Sequence, residues 1–355
     1  MTKHVLVLGA GFTRAFYKEA PLVLHDYGAK ELSQRCRDAL PYAKILLDEE
    51  MRSDPERLGR INIESLMTRL HSGMPYDRPF GYTDQLQMLL AWLKGEFVER
   101  INAAQQGENH KDDLNALAAH CLKRDITCIT FNYDDLFDQA LAESGVQRTP
   151  EGGLACWGPD TGYGFLMSLG GEYLDHYTVP DNSYKVRLLK LHGSMNWRPR
   201  LGASRPLSAD SVLHVADWPK CRRFSIRPGI QDMLEKEPLI VPPVLMKSDL
   251  TQEPLLRLVW TKAYEALYAA TAVTFIGYSM PVTDIAATSL FRETLNRLKK
   301  PTITVIGFQD HATEKGAAEW DGFVKRYVQV LPDVDPKEFV DYGALDWSRS
   351  IVRHG

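Results

Sequence analysis

The run "KVRLLKLHGSMNW", residues 185–197, closes an apolar stretch on His192 and then turns through Gly193 and Ser194. Histidine is the side chain best placed to accept a proton near neutral pH, because its unperturbed pKa is about 6.5. Earlier in the chain "TFNYDD", residues 130–135, ends another apolar stretch on Asn132, with Asp134 two residues on. A carboxamide and a carboxylate at a strand tip can hold a water, a hydroxyl or an amide. Two further apolar runs stop at small residues: "HVLVLGAGFT" (4–13) at Gly9 and Gly11, and "AVTFIGYS" (272–279) at Gly277. Glycines after a buried strand allow a tight turn and let backbone N–H groups approach a phosphate at a helix N-terminus. Each feature alone has a plainer explanation. A strand-end histidine can simply bond a backbone carbonyl, Asp134 or Asp135 can cap a helix, and Arg14 stands where the third glycine of G-x-G-x-x-G would be.

These four turns can serve one ligand only if their strands run parallel and end on one edge of a sheet, where open α/β sheets bind ligands. The pattern supplies such strands. Short apolar runs at 4–8, 126–131, 185–192, 237–248, 272–276 and 301–308 alternate with helical periodicity at 84–101, 112–124, 135–141, 253–270 and 283–300. That alternation predicts an α/β fold, a Rossmann-like doubly wound parallel sheet with right-handed crossovers. We expect a single domain over 1–355, with a core at 1–24, 112–197 and 237–332, a helical insert at 25–111 and a peripheral excursion at 198–236. The Gly-rich stretch 151–171 reads as a surface loop or short strands.

Composition narrows the function classes. The 355 residues are 44% hydrophobic and 25% charged, with a net charge of -4, so no basic field invites direct nucleic-acid binding. No run approaches the roughly 20 apolar residues of a membrane span, and the first residues lack a signal-peptide pattern, so a cytoplasmic protein is expected. Five scattered cysteines, without a C-x-x-C pair, predict reduced structural thiols rather than disulfides or a zinc site. His71, His110, His120 and His214 also lack metal-binding spacing, so no metal is expected.

Taken in order, "GAGFT", "TFNYDD", "KLHGSMNW" and "FIGYS", with "PLIVPPVLMK" before the last, resemble the sirtuin family, in particular its prokaryotic sirtuin-like branch that destroys NAD during antiphage defence. The resemblance spans roughly 4–308. It implies that Gly9, Ala10, Gly11, Phe12 and Thr13 form the turn around the pyrophosphate and nicotinamide ribose. It implies Asn132 near the reactive ribose, Asp134 near the carboxamide, His192 as catalytic base, and Gly277, Tyr278 and Ser279 on the adenosine side. The departures weigh against protein deacylation: the four-cysteine zinc module of classical sirtuins is missing, Phe131 replaces a polar glutamine, and "VIGF" (305–308) lacks a usual asparagine.

The activity so implied is NAD hydrolysis at the nicotinamide–ribose bond, giving nicotinamide and ADP-ribose, as the effector of an abortive-infection defence. Cyclised ADP-ribose is a further product option. Such an activity needs gating, by homo-oligomer formation or by a separate partner such as a HerA-like ATPase or a short Argonaute. An NAD-dependent protein deacylase and a non-catalytic NAD or ADP-ribose sensor remain the alternatives.

Overall fold

Six apolar runs assemble into one sheet: β1 (His4–Leu8), β2 (Thr127–Thr130), β3 (Leu188–Lys190), β4 (Ala272–Ile276), β5 (Thr302–Ile306) and β6 (Phe339–Val340). The computed structural model describes residues 3–21, 66–68, 70, 82–169, 171–172, 187–204, 206–215, 225–226, 235, 237–241, 252–297 and 299–354. Most of the expected helical insert, the run 242–248, and parts of the 198–236 excursion lie outside these residues.

The strand order is β6-β5-β4-β1-β2-β3, and every pair is parallel. This is the Rossmann order, and its switch point falls between β1 and β4, from which the chain winds outward in opposite directions. The strands read as unbroken apolar runs because both faces are covered. Val5, Leu6, Val7 and Leu8 of β1 are all buried, as are Val273, Phe275 and Ile276 of β4.

Helices α1 (Ala10–Phe16), α2 (Tyr82–Gln106), α3 (Lys111–Lys123), α4 (Leu136–Glu143), α5 (Pro254–Ala269), α6 (Ile285–Leu295), α7 (Glu314–Val330) and α8 (Ala344–His354) supply that cover. Helices α1, α3, α4 and α8 pack on one another, while α6 packs on both α5 and α7. Right-handed crossovers put these two groups on opposite faces. Arg349 of α8 grips Asp113 of α3 with two hydrogen bonds of 3.0 and 2.8 Å, fastening the last helix to the first face. Among the described residues no helix is long and apolar enough to cross a membrane.

Three segments differ from expectation. Of the two readings of the 151–171 stretch, the short strands hold, as Leu154–Ala155 and Ser168–Leu169, and the surface loop does not: Trp157, Tyr163, Phe165 and Met167 are buried in the core. The large aromatics outweigh the glycines between them. The excursion after 197 is less peripheral than its composition predicts. Val212–His214 pairs with Ser168–Leu169 on one side and Trp197–Pro199 on the other in a three-stranded sheet, and Trp197, Leu207 and Val212 are buried. The run from 237 is not a strand of the main sheet over its described residues. Instead it lies across the turn after β3, where Val241 N–H donates to the His192 carbonyl (2.8 Å) and Ser194 N–H to the Leu239 carbonyl (2.9 Å).

Candidate active site

Register brings the strand-end turns to one level. Leu8 of β1 pairs with Ile276 of β4 and Thr130 of β2, Thr130 pairs with Lys190 of β3, and Ile276 with Ile306 of β5. The ladder runs one residue further at each tip. Gly9 N–H donates to Ile276 O (3.0 Å), Phe131 N–H to Leu8 O (3.1 Å), Leu191 N–H to Thr130 O (2.9 Å) and Gly277 N–H to Ile306 O (3.0 Å). The four turns singled out in the sequence therefore lie at the carboxyl edge of the sheet.

The turns after β1 and β4 touch across the switch point. Gly11 N–H donates to the Gly277 carbonyl at 2.9 Å, and Phe12 N–H to the Gly9 carbonyl at 2.9 Å. Gly277 has φ +60, and a Cβ there would lie 2.1 Å from Phe12 N. A Cβ on Gly9 would meet the Tyr278 backbone at 2.5 Å. The glycines thus serve the approach of one turn to the other, and the Gly11 N–H expected to face a phosphate is donated to protein. Arg14 reaches back to the Ala20 carbonyl (2.7 Å). Ser279 is exposed, and its carbonyl accepts from Arg326 Nε at 2.8 Å.

A directed chain of hydrogen bonds ties the β2 turn to the β1 turn. Asn132 Nδ2 donates to Gly9 O and to Thr13 Oγ1, both at 2.9 Å. Thr13 Oγ1 then donates to Asp134 Oδ2 at 2.8 Å. Because a carbonyl can only accept, the Gly9 contact fixes which end of the carboxamide is nitrogen. Both amide hydrogens are then used, and Oδ1 of the half-buried Asn132 is the atom left to accept. Asp134 is turned inward, and its Oδ1 takes the Leu136 N–H (3.2 Å) at the start of α4. Burial holds its carboxyl above the ordinary carboxylate range, against the opposing pull of the Lys190 ammonium and the Thr13 hydroxyl. Asp135 is the N-cap residue of α4 by position, yet Asp134 supplies the capping oxygen.

His192 lies beside this turn in an aromatic enclosure. Phe131 meets its ring edge-on at 5.2 Å, and Tyr133 and Trp260 lie at 6.3 and 6.4 Å. Phe131 also stacks on Tyr278 at 4.4 Å, so the residue that departs from the deacylase pattern forms an apolar wall between the β2 and β4 turns. Trp260 Nε1 donates to Leu191 O at 2.8 Å, holding α5 against the end of β3.

Beneath the site lies a buried polar network that sequence reasoning missed. Lys190, fully buried two residues before His192, pairs with Asp138 of α4 at 3.0 Å and also donates to the Asp134 carbonyl. Tyr163 OH donates to Asp138 Oδ1 at 2.5 Å. Ser194 Oγ donates to Asn196 Oδ1 (2.6 Å), and Asn196 Nδ2 meets His214 Nε2 at 2.9 Å. Burial, reinforced by the Lys190 charge, pushes the His214 pKa down to about 3, so its ring is neutral and accepts at Nε2. The signal was present in "LLKLH", where a lysine interrupts an apolar strand; a buried lysine demands a carboxylate partner. Among the described residues no group of three or more His, Cys, Asp or Glu could hold a metal ion. Cys121, Cys128 and Cys156 are buried.

A parallel sheet in Rossmann order, with histidine, asparagine and glycine turns at its carboxyl edge, defines a doubly wound α/β protein. The chain belongs to the SIR2-like family: the model of the SIR2-like domain matches residues 126–322, more than half of its length. The matched span holds the turns after β2, β3 and β4, whereas β1 and its glycine turn precede it and are placed by the sheet itself. Similar solved structures include a Sir2 homologue in complex with NAD, at 14% identity, with 99% of this chain and 89% of that chain covered and a TM-score of 0.43. A mutant Sir2 homologue with 2'-O-acetyl ADP ribose has 14% identity, coverage of 99% and 92%, and a TM-score of 0.45. Sir2Tm bound to a propionylated peptide has 11% identity, coverage of 99% and 93%, and a TM-score of 0.43. No curated protein sequence is significantly similar to the chain.

Proposed function

We propose that the protein hydrolyses NAD at the nicotinamide–ribose bond. The observation that carries this reading is the orientation of Asn132: with its nitrogen held by Gly9 and Thr13, its oxygen is the atom offered at the tip of β2, beside the His192 turn on β3. That pairing suits water attack on a sugar carbon. The Asn132 oxygen accepts one hydrogen of the water, and His192 takes the other proton as the water oxygen bonds to the anomeric carbon. The nicotinamide leaves with the electrons of the broken carbon–nitrogen bond, so NAD and water give nicotinamide, ADP-ribose and a proton. Positive charge develops on the ribose in such cleavages, and hydrogen bonds to the ring hydroxyls strengthen as it does.

On this reading Gly9–Thr13 and Gly277–Ser279 line the dinucleotide crevice, and Asp134 holds the Asn132 turn through Thr13. An enzyme that destroys NAD endangers its own cell. The proposal therefore includes a cytoplasmic effector of antiphage defence, gated by self-assembly or by a separate partner such as a HerA-like ATPase or a short Argonaute.

The test is incubation of the purified full chain with NAD and chromatographic separation of the products. Nicotinamide and ADP-ribose are expected in equal amounts. His192→Ala and Asn132→Ala should each lower turnover by about 100-fold or more. Wild-type turnover in His192→Ala would overturn the assignment. Release of nicotinamide only with an acyl-lysine peptide would mean a deacylase, and binding without turnover a sensor.

A further inference from the structure

The imidazole of His192 faces a carboxylate from another part of the fold. Its Nε2 lies 3.5 Å from Asp284 Oδ2, and both side chains are buried, at 7% and 4% exposure. Asp284 follows the β4 turn and is the N-cap of α6, where its Oδ1 accepts the Ala287 N–H at 3.4 Å. One carboxylate oxygen thus anchors on the helix while the other addresses the ring. The anchored position fixes Asp284 relative to β4, and the ladder fixes His192 relative to β2.

The surroundings strengthen the pair. Phe131 and Tyr133 from the β2 turn, Trp260 from α5 and Tyr278 from the β4 turn wall this region with aromatic rings. Tyr133 OH is tied to the Val241 carbonyl at 2.6 Å, and the buried Tyr278 hydroxyl is held protonated by burial and by the charge of Asp284. Among these described residues the titratable side chains are Asp284, Tyr133 and Tyr278, and Asp284 is the carboxylate that faces the ring. In a site of low polarity a charge pair acts more strongly than in water.

We propose that Asp284 is the positioning residue of His192, an inference that rests on the hydrolase reading above. Its carboxylate keeps the ring proton on Nε2, so that the Nδ1 lone pair takes the proton from the attacking water. It then stabilises the imidazolium so formed without itself becoming protonated. This is the logic by which a buried aspartate orients a catalytic histidine in hydrolases of unrelated fold.

The experiment compares wild type with Asp284→Asn and Asp284→Ser. Asparagine and serine both cap helices well, so α6 stays capped and thermal midpoints should stay close to wild type. For NAD turnover, kcat is expected to fall about 10–100-fold with KM little changed. The acidic limb of the kcat–pH profile should move to lower pH, because loss of a neighbouring carboxylate makes the imidazole a weaker base. Separately, nitrogen NMR of His192 without NAD should show a lower titration midpoint in Asp284→Asn than in wild type. That readout keeps the two claims apart: NAD turnover, with the gate released, tests the hydrolase reading, whereas the NMR titration tests the pair in the chain alone whether or not it turns NAD over. Wild-type kcat with an unmoved pH profile, or an unmoved His192 titration, would overturn the inference.

Discussion

At Gly277 one hydrogen atom in place of a side chain decides whether two turns can meet. Its φ of +60 already disfavours any other residue, and an added Cβ would press on Phe12 N at 2.1 Å. Gly343 also has positive φ, +88, but a Cβ there would meet only the Phe308 ring at 3.5 Å. The two positions separate conformation from contact. Gly343→Ala should cost about 1–2 kcal/mol, the ordinary penalty of a left-handed residue. Gly277→Ala should cost more than about 3 kcal/mol, because backbone must also move, and NAD turnover should fall with it. Urea unfolding of the two variants measures the difference, and equal losses would mean that the β1 and β4 turns part easily.

At the scale of elements, the pair Lys190–Asp138 joins β3 to α4, and so joins the His192 turn to the Asn132 turn. Removing one partner leaves a buried charge. Lys190→Met is expected to destabilise by about 3–5 kcal/mol, and Lys190→Met with Asp138→Asn should recover much of that loss. Chemical denaturation of the single and double variants decides it; a double variant no better than the single would mean that Lys190 acts through the Asp134 carbonyl instead. Much of this architecture was legible in the sequence. The runs "HVLVLGAGF", "ITCITFNYDD" and "AVTFIGYS" place three strands and their turns because buried parallel strands are continuously apolar and end at glycine or polar residues. His192 and Asn132 could be named for the same reason. Partners distant in sequence could not. Nothing local links Asp284 to His192, since that pair exists only once crossovers have set the strand order, and His214 meets Asn196 only through the antiparallel pairing of Trp197–Pro199 with Val212–His214. The segment from 237 misled because its apolar pattern suits a strand, whereas its backbone is used to close the turn over Gly193.

For the molecule as a whole, buried titratable groups set the response to acid. The His214 pKa of about 3 lies below the value of about 6.5 expected unfolded, so only the unfolded chain takes up this proton between those values. Stability therefore falls as pH drops below 6.5, by up to about 1.4 kcal/mol per pH unit from this residue. Asp134 acts oppositely. Its raised carboxyl pKa favours the folded state as pH falls towards the ordinary carboxylate value, and partly offsets the loss there. Urea midpoints at pH 7 and pH 5 should diverge for wild type and draw closer for His214→Gln. Identical divergence in both would remove His214 from the account.

The position of β1 has a further consequence, in the time the chain takes to become itself. This central strand is written first, but one of its two neighbours comes late: His4 meets Thr274 across 270 residues. At the roughly 5–20 residues per second of protein synthesis, that edge of β1 waits about 15–50 s for its partner. Until then an apolar strand with unpaired backbone groups stands open to any other strand that passes. The junction of β1 and β4 is thus the last part of the sheet's centre to close, and a nascent chain without its final third lacks the paired glycine turns at its carboxyl edge.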